Sequence, residues 1–287
     1  MIELLDYILD NDNNFWIVNN ITSSNYMGYI VYRVSDEGKY NKITGKKYIK
    51  DTDISGIINI PSSYKKVFKP HMFYINDKNN LTGIWKQYVD VLNEIGIPDE
   101  DIGIFGSYLI GFDISKDVDF VIYGKENLYK YYNNIGYIRK KLNVSSISTS
   151  HVEYQYNKHK AKFNNKCDLK EIISRNWSGI ELNNGVLSTP RFIDKSNYVI
   201  PIKKGNDMTI RVKIINGFLS SMLPRAAKVE YNGRIYTIIS SIWKYQSFAH
   251  KNDILEIYAN VNDKENLIII DKEQYYIRYL NKSNIIK

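Results

Sequence analysis

With 287 residues, 44% hydrophobic and 24% charged, the chain has enough apolar material for at least one full core, and its composition excludes a largely disordered protein. Lys and Arg number 39 against 31 Asp and Glu, and the net charge of +8 suits an anionic partner; a Lys-rich, AT-biased coding sequence would give the same balance. The single cysteine, Cys167, excludes an internal disulfide and a cysteine-rich zinc site, and no apolar run approaches the length of a membrane span, so a cytoplasmic protein is expected.

Residues 1–80 carry strand-like pieces, Phe15–Val18 and Tyr26–Arg33, separated by Asn, Gly and Asp clusters, with a turn at Thr44–Lys47. They predict an N-terminal β-rich module. His71 has no partner at metal-ligand spacing and reads as structural. Leu81–Ile95 has helical periodicity, with Ile84, Trp85, Tyr88, Leu92 and Ile95 near one face, Gly96 suited to the C-cap and Pro98 as the stop.

The stretch Ile102–Tyr123 carries the chemistry. An apolar run, Ile102–Phe105, ends in Gly106-Ser107; a segment able to form one or two helical turns follows, and a second apolar run opens with Asp117-Val118-Asp119. Side chains two apart on a strand share a face, so Asp117 and Asp119 present two carboxylates together. Such a pair repels itself unless a cation neutralises it, and a hard divalent ion with oxygen ligands does so. Gly106 lets the backbone approach a ligand, while Ser107 and the amides of the expected helix offer donors to a phosphate. An Asp-x-Asp at a strand end is commonly just solvated, and a Gly-Ser is commonly just a turn; their combination at this spacing between two apolar runs points to a nucleoside triphosphate site.

This arrangement of Gly106, Ser107, Gly111, Asp117 and Asp119 resembles the signature of the DNA polymerase β-like nucleotidyltransferase superfamily. The resemblance implies an α+β fold: a polymerase β-like core, a mixed sheet with helices, at 81–176, flanked by the N-terminal β-rich module and by a C-terminal β-barrel-like or sandwich module at 177–287. It also implies two Mg²⁺ ions held by Asp117, Asp119 and a third carboxylate. Asp168, between apolar residues in Phe163–Lys170, is the expected third acid, and Asp194 is its rival. Two departures stand out. Lys116 occupies the place where the superfamily commonly has Ser, and joins Gly106 and Ser107 as a candidate nucleotide contact; the Arg expected shortly before Gly111 is absent at Leu109 and Ile110.

Further along, Glu126–Leu142 reads as a helix with an apolar stripe and a basic face. Asn157–Lys162 is a basic run, either a solvated loop or a contact for triphosphate or a nucleic-acid strand. Beyond Trp177, short apolar runs at Thr209–Ile215, Arg234–Ile239, Ile254–Ala259 and Leu267–Ile270 alternate with Asn-Gly and Asn-Asp turns. Arg191, Arg225, Lys228, Arg234 and Lys244 are candidates for a nucleotide or nucleic-acid surface.

The runs Asp117–Gly124, Arg175-Asn-Trp177 and Ser220–Val229 look like a group of archaeal and bacterial nucleotidyltransferases that includes the Hailong type of phage defence. That likeness implies transfer of NMP or dNMP from a nucleoside triphosphate, ATP or dATP first, to a hydroxyl. It implies a single-stranded nucleic-acid product made without a template, and a partner effector protein. Tyr275, Tyr276 and Tyr279 near the C-terminus are candidate primers, against the plainer reading of ordinary strand tyrosines. Nucleotidylation of a protein or tRNA, synthesis of a cyclic or linear oligonucleotide signal, and a non-catalytic nucleic-acid-binding protein are the alternatives.

Overall fold

The computed structural model describes residues 2–22, 25–51, 58–112, 118–182, 187–194, 205–272 and 274–283. Strands take 40% of the chain and helices 27%, so the molecule is mostly β, with antiparallel sheets and one closed five-stranded barrel; the expected α+β polymerase β-like core is not the fold it adopts. Two features account for the difference. The segment after Ser107 forms successive turns in place of a helix, and long β-strands on either side of the expected core outweigh its short strands. No helix among the described residues is long and apolar enough to cross a membrane.

The chain divides into two compact units, 1–145 with 180–199, and 146–179 with 200–287. Unit 1 opens with six strands: β1 (Tyr7–Asp10), β2 (Phe15–Ile21), β3 (Tyr26–Tyr40), β4 (Lys47–Lys50), β5 (Ile58–Asn59) and β6 (Tyr64–Phe68). They form a sheet in the order β4-β3-β2-β1-β6, with β5 also on β3, and every pairing is antiparallel. Lysines at both ends of the short edge strand β4 discourage further strands from pairing there.

Helices α1 (Pro70–Asp77) and α2 (Gly83–Glu94) follow, then β7 (Ile102–Phe105), β8 (Asp119–Tyr123) and α3 (Lys125–Leu142). Pro starts α1 where its missing N–H costs nothing, and Gly96 at φ +81° closes the end of α2. β7 pairs antiparallel with β8. After unit 2's helices α4 (Thr149–His159) and α5 (Leu169–Ser174), the chain returns to unit 1 for β9 (Ile180–Glu181), β10 (Leu187–Ser188) and β11 (Arg191–Ile193), the last parallel to β8.

Alternation assigns the two faces of β8. Phe120 meets Trp85 and Tyr88 of α2 at ring-centroid distances of 6.1 and 5.0 Å, and on β11 Phe192 meets Tyr131 of α3 at 5.2 Å. Asp119, Val121 and Tyr123 therefore lie on the opposite face, turned toward the first sheet.

Unit 2 continues with β12 (Asn206–Asn216), β13 (Met222–Leu223), β14 (Arg225–Tyr231), β15 (Arg234–Ser240), β16 (Ile254–Asn262), β17 (Leu267–Ile270) and β18 (Tyr276–Asn281). Hydrogen bonding runs β12-β14-β15-β17-β16 and back to β12, which closes the barrel, and β18 is added on β16. Long β12 serves both seams, pairing with β16 over Asn206–Lys213 and with β14 near its other end. The one parallel contact in the ring joins β15 to β17. This ring order is that of the five-stranded Greek-key barrel called the OB-fold.

Ile210, Val212 and Ile214 alternate into the barrel core with Val229, Ile238, Leu255 and Ile268. Asn232-Gly233, both at positive φ, make the tight turn between β14 and β15 that the Asn-Gly pair predicts. Phe163, Cys167 and Ile172, all preceding the barrel in sequence, pack on the same core. A buried ion pair fastens them: Arg175 donates twice to Asp253, at 2.9 and 2.8 Å, with Tyr279's ring 4.8 Å from the guanidinium. His250 N and Ser283 N and Oγ also donate to Asp253, each at 2.8 Å.

Candidate active site at the Gly106–Ser107 bend

β7 ends where Phe105 pairs with Asp119, so the bend at Gly106 lies against the first residue of β8. Gly106 has φ +79°, a conformation that favours glycine, and a Cβ there would lie 2.3 Å from Asp119 Oδ2. Absence of a side chain is thus what lets the Asp119 carboxylate settle over the bend. Ser107 O accepts from Phe112 N at 3.1 Å, and Tyr108 O accepts from Gly111 N at 3.1 Å. These are turns, so no helix dipole stands behind Ser107, and any phosphate contact there rests on individual amides and the hydroxyl.

The loop between β3 and β4 holds this bend in place. Asn41 is fully buried: its Nδ2 donates to Ile110 O at 2.6 Å, and its Oδ1 accepts from Ile43 N and Thr44 N, both at 3.0 Å. Lys42 N donates to Gly111 O at 3.0 Å. Phe112 completes the attachment among the rings of Phe15, Tyr32 and Tyr48, at 6.5, 4.8 and 5.9 Å.

Near Asp119 stand Arg191 on β11 and Tyr7 on β1, and Tyr29 on β3 neighbours Arg191 and Tyr7 in turn. Burial pulls the Arg191 guanidinium below its usual range, while Asp119, Tyr29 and Tyr7 push it back up. Burial likewise raises the Tyr29 hydroxyl to about 12, opposed by Arg191, and lifts Tyr7 well above the ordinary phenol range. The charge of Asp119 acts on Arg191 and Tyr7, that of Arg191 acts on both phenols, and at neutral pH the two phenols stay protonated.

The expected site residues are brought together only in part. Gly106, Ser107 and Asp119 share the bend; Lys116 and Asp117 lie outside the described residues. Asp168 belongs to unit 2 and is not on a strand: it precedes α5, donates its N–H to Ile277 O at 2.9 Å and accepts from Tyr279 N at 2.7 Å through Oδ2. It fastens α5 to β18. Asp194 follows β11 at the end of the sheet remote from Asp119, since Ile193 pairs with Tyr123 and Arg191 with Val121. Where β11 comes nearest to Asp119 the side chain is Arg191, a cation in place of a third acid.

Compared with known proteins, the chain matches no family model, no curated protein and no solved structure. Its chemistry has to be read from its own side chains.

The three candidate primer tyrosines are buried, and their hydroxyls are engaged. Tyr275 donates to Asp207 at 2.8 Å, Tyr279 to Phe248 O at 2.6 Å and Tyr276 to Glu256 at 3.2 Å. Tyr276 and Tyr279 lie on β18 and Tyr275 just precedes it, and each of the three hydroxyls is already hydrogen-bonded. Tyr7 and Tyr29 at the bend were not among the residues that spacing singled out. No local pattern marks them, because sheet packing brings Tyr7 to Asp119 and Tyr29 to Arg191 from more than a hundred residues away.

Among the described residues no three His, Cys, Asp or Glu side chains gather as a ligand set, and Asp117, the second expected ligand, lies outside them.

Proposed function

We propose that the chain is a nucleotidyltransferase whose triphosphate rests on the Gly106–Ser107 bend. The observation that carries this reading is the seating of the Asp119 carboxylate directly against the Gly106 bend, where a side chain would have no room, which sets the acid beside Ser107 as the motif requires. Asp117 and Asp119 would hold Mg²⁺, which supplies charge neutralisation for the triphosphate. Ser107 Oγ and the turn amides bind phosphate oxygens. Arg191, desolvated and beside Asp119, orients that carboxylate and adds a fixed positive charge where charge develops on the transferred group. An acceptor hydroxyl forms a bond to the α-phosphorus, the bridge to the β-phosphate breaks, and pyrophosphate leaves as the hydroxyl proton passes to water. ATP or dATP is the first donor to try, and a growing single strand the acceptor.

The experiment is a pyrophosphate-release screen over the eight common nucleotides with Mg²⁺, with product sizing. Release expected from the parent protein is abolished in Asp117→Ala with Asp119→Ala, and a folded parent that releases none from any nucleotide removes the reading. The pairing of Asp119 with Arg191 favours one second reading, a nucleic-acid-binding protein without catalysis. That protein binds its ligand equally well in chelator and as the double-Asp variant, and releases no pyrophosphate from any nucleotide.

A further inference from the structure

Positive charge is segregated in this molecule. Unit 2 contains 20 of the 39 Lys and Arg but only 11 of the 31 Asp and Glu, so its formal charge is +9 and that of unit 1 is −1. The entire excess belongs to the barrel and the helices fastened to it.

Within unit 2 this charge follows a path. The end of α4 and the turn after it carry Lys158, Lys160 and Lys162, and Tyr154 one turn earlier is 59% exposed with Lys158 Nζ 5.7 Å from its ring. The chain then runs beside β18: Asn164 Nδ2 donates to Gln274 O at 3.1 Å and Asp168 N to Ile277 O at 2.9 Å. That course sets exposed Lys166 over the ring of Tyr276, 5.8 Å away. On β18 the alternation turns Ile277 and Tyr279 into the core and Arg278 outward. The register then continues the row across the outside of the barrel, Arg278 to Glu256 to exposed Arg211. Glu256, the one acid in that row, is already engaged by Arg278 at 3.8 Å and by Tyr276's hydroxyl.

We propose that this strip is a binding surface for single-stranded nucleic acid, with phosphates along Lys158, Lys162, Lys166, Arg278 and Arg211 and an unstacked base on Tyr154. Spaced cations follow a backbone, and an exposed ring beside them suits a base that is free to stack, which a duplex does not offer. The inference uses no residue of the Gly106 bend and stands whether or not that bend is catalytic.

The test is fluorescence anisotropy of the full chain with a short labelled single strand of mixed sequence, over a salt series. Replacing Lys158, Lys162 and Arg211 with Gln is expected to weaken binding at least about tenfold and to flatten the slope of log affinity against log salt by about 2, roughly 0.7 for each phosphate that is no longer neutralised. Tyr154→Ala is expected to weaken binding about tenfold with the slope unchanged, and Tyr154→Phe to restore it. The proposal is overturned if the triple variant, shown folded by its thermal transition, binds like the parent, if the duplex of the same sequence or phosphatidylserine vesicles bind as tightly, or if no single strand binds at low salt.

Discussion

Asp6 shows how strongly one side chain in unit 1 is constrained. It is 1% exposed, accepts from Glu3 N at 2.9 Å, and burial raises its carboxyl to about 7 against Lys69's opposing charge. Its folded value lies above its unfolded one, so the native state binds the proton more tightly. The resulting stabilisation is full below the unfolded value and is lost as pH rises through about 7, a change on the order of 4 kcal/mol at most. Asp6→Asn keeps an acceptor for Glu3 N without the titration. Its denaturant midpoint is expected to match the parent's near about pH 4 and to exceed it increasingly up to about pH 8; a gap that does not grow with pH contradicts the assignment. Nothing in the sequence marks Asp6, an acid near the N-terminus like many that stay wet. Gly106 and Asp119 were legible because two apolar runs bracket them and fix their pairing. Arg191 was legible as a basic residue but not as the neighbour of Asp119, since that depends on a parallel pairing across some seventy residues.

At the level of elements, the periodic ones were readable and the irregular ones were not. The apolar stripe of Leu81–Ile95 became α2, with Trp85, Tyr88 and Leu92 buried, and the Glu126–Leu142 pattern became α3. The segment after Ser107 looked helical, yet it forms turns because the loop between β3 and β4 claims its carbonyls: Asn41 takes Ile110 O and Lys42 N takes Gly111 O. A tertiary hydrogen bond thus overrode a weak local preference. Asn41→Asp tests this dependence, since it keeps the acceptor for Ile43 and Thr44 but replaces the donor to Ile110 O with an oxygen that repels it. The variant is expected to lose about 2–4 kcal/mol. Amide exchange over 107–112 is expected to quicken at least about tenfold, with exchange in the barrel unchanged. Unchanged exchange at the bend would show that the loop does not hold it.

Across the whole molecule, the chain passes from unit 1 to unit 2, returns for β9–β11 and then completes the barrel, so sequence position does not reveal which residues share a core. The Asn-Gly and Asn-Asp turns disclosed the barrel strands, but not that Phe163, Cys167 and Ile172 belong to their core, nor that Arg175 neutralises Asp253. Two fragments turn this into a measurement. A fragment of residues 177–287 retains every barrel strand, yet it strands the buried Asp253 carboxylate without its guanidinium and uncovers the core beneath α5. Breaking a buried pair on one side costs about 3–5 kcal/mol, before the lost apolar cover is counted, against the few kcal/mol that hold a domain of that size. Residues 146–287 keep α4, α5 and Arg175. The longer fragment is expected to unfold cooperatively and to show dispersed amide resonances, while the shorter shows neither. Within the longer fragment, Arg175→Met should reproduce much of the shorter one's loss, whereas Arg175→Met with Asp253→Leu should recover part of it, because the cost lies in an unpaired buried charge and not in the absence of the pair. Cooperative unfolding of residues 177–287 with the longer fragment's midpoint would show that the barrel closes without the helices that precede it.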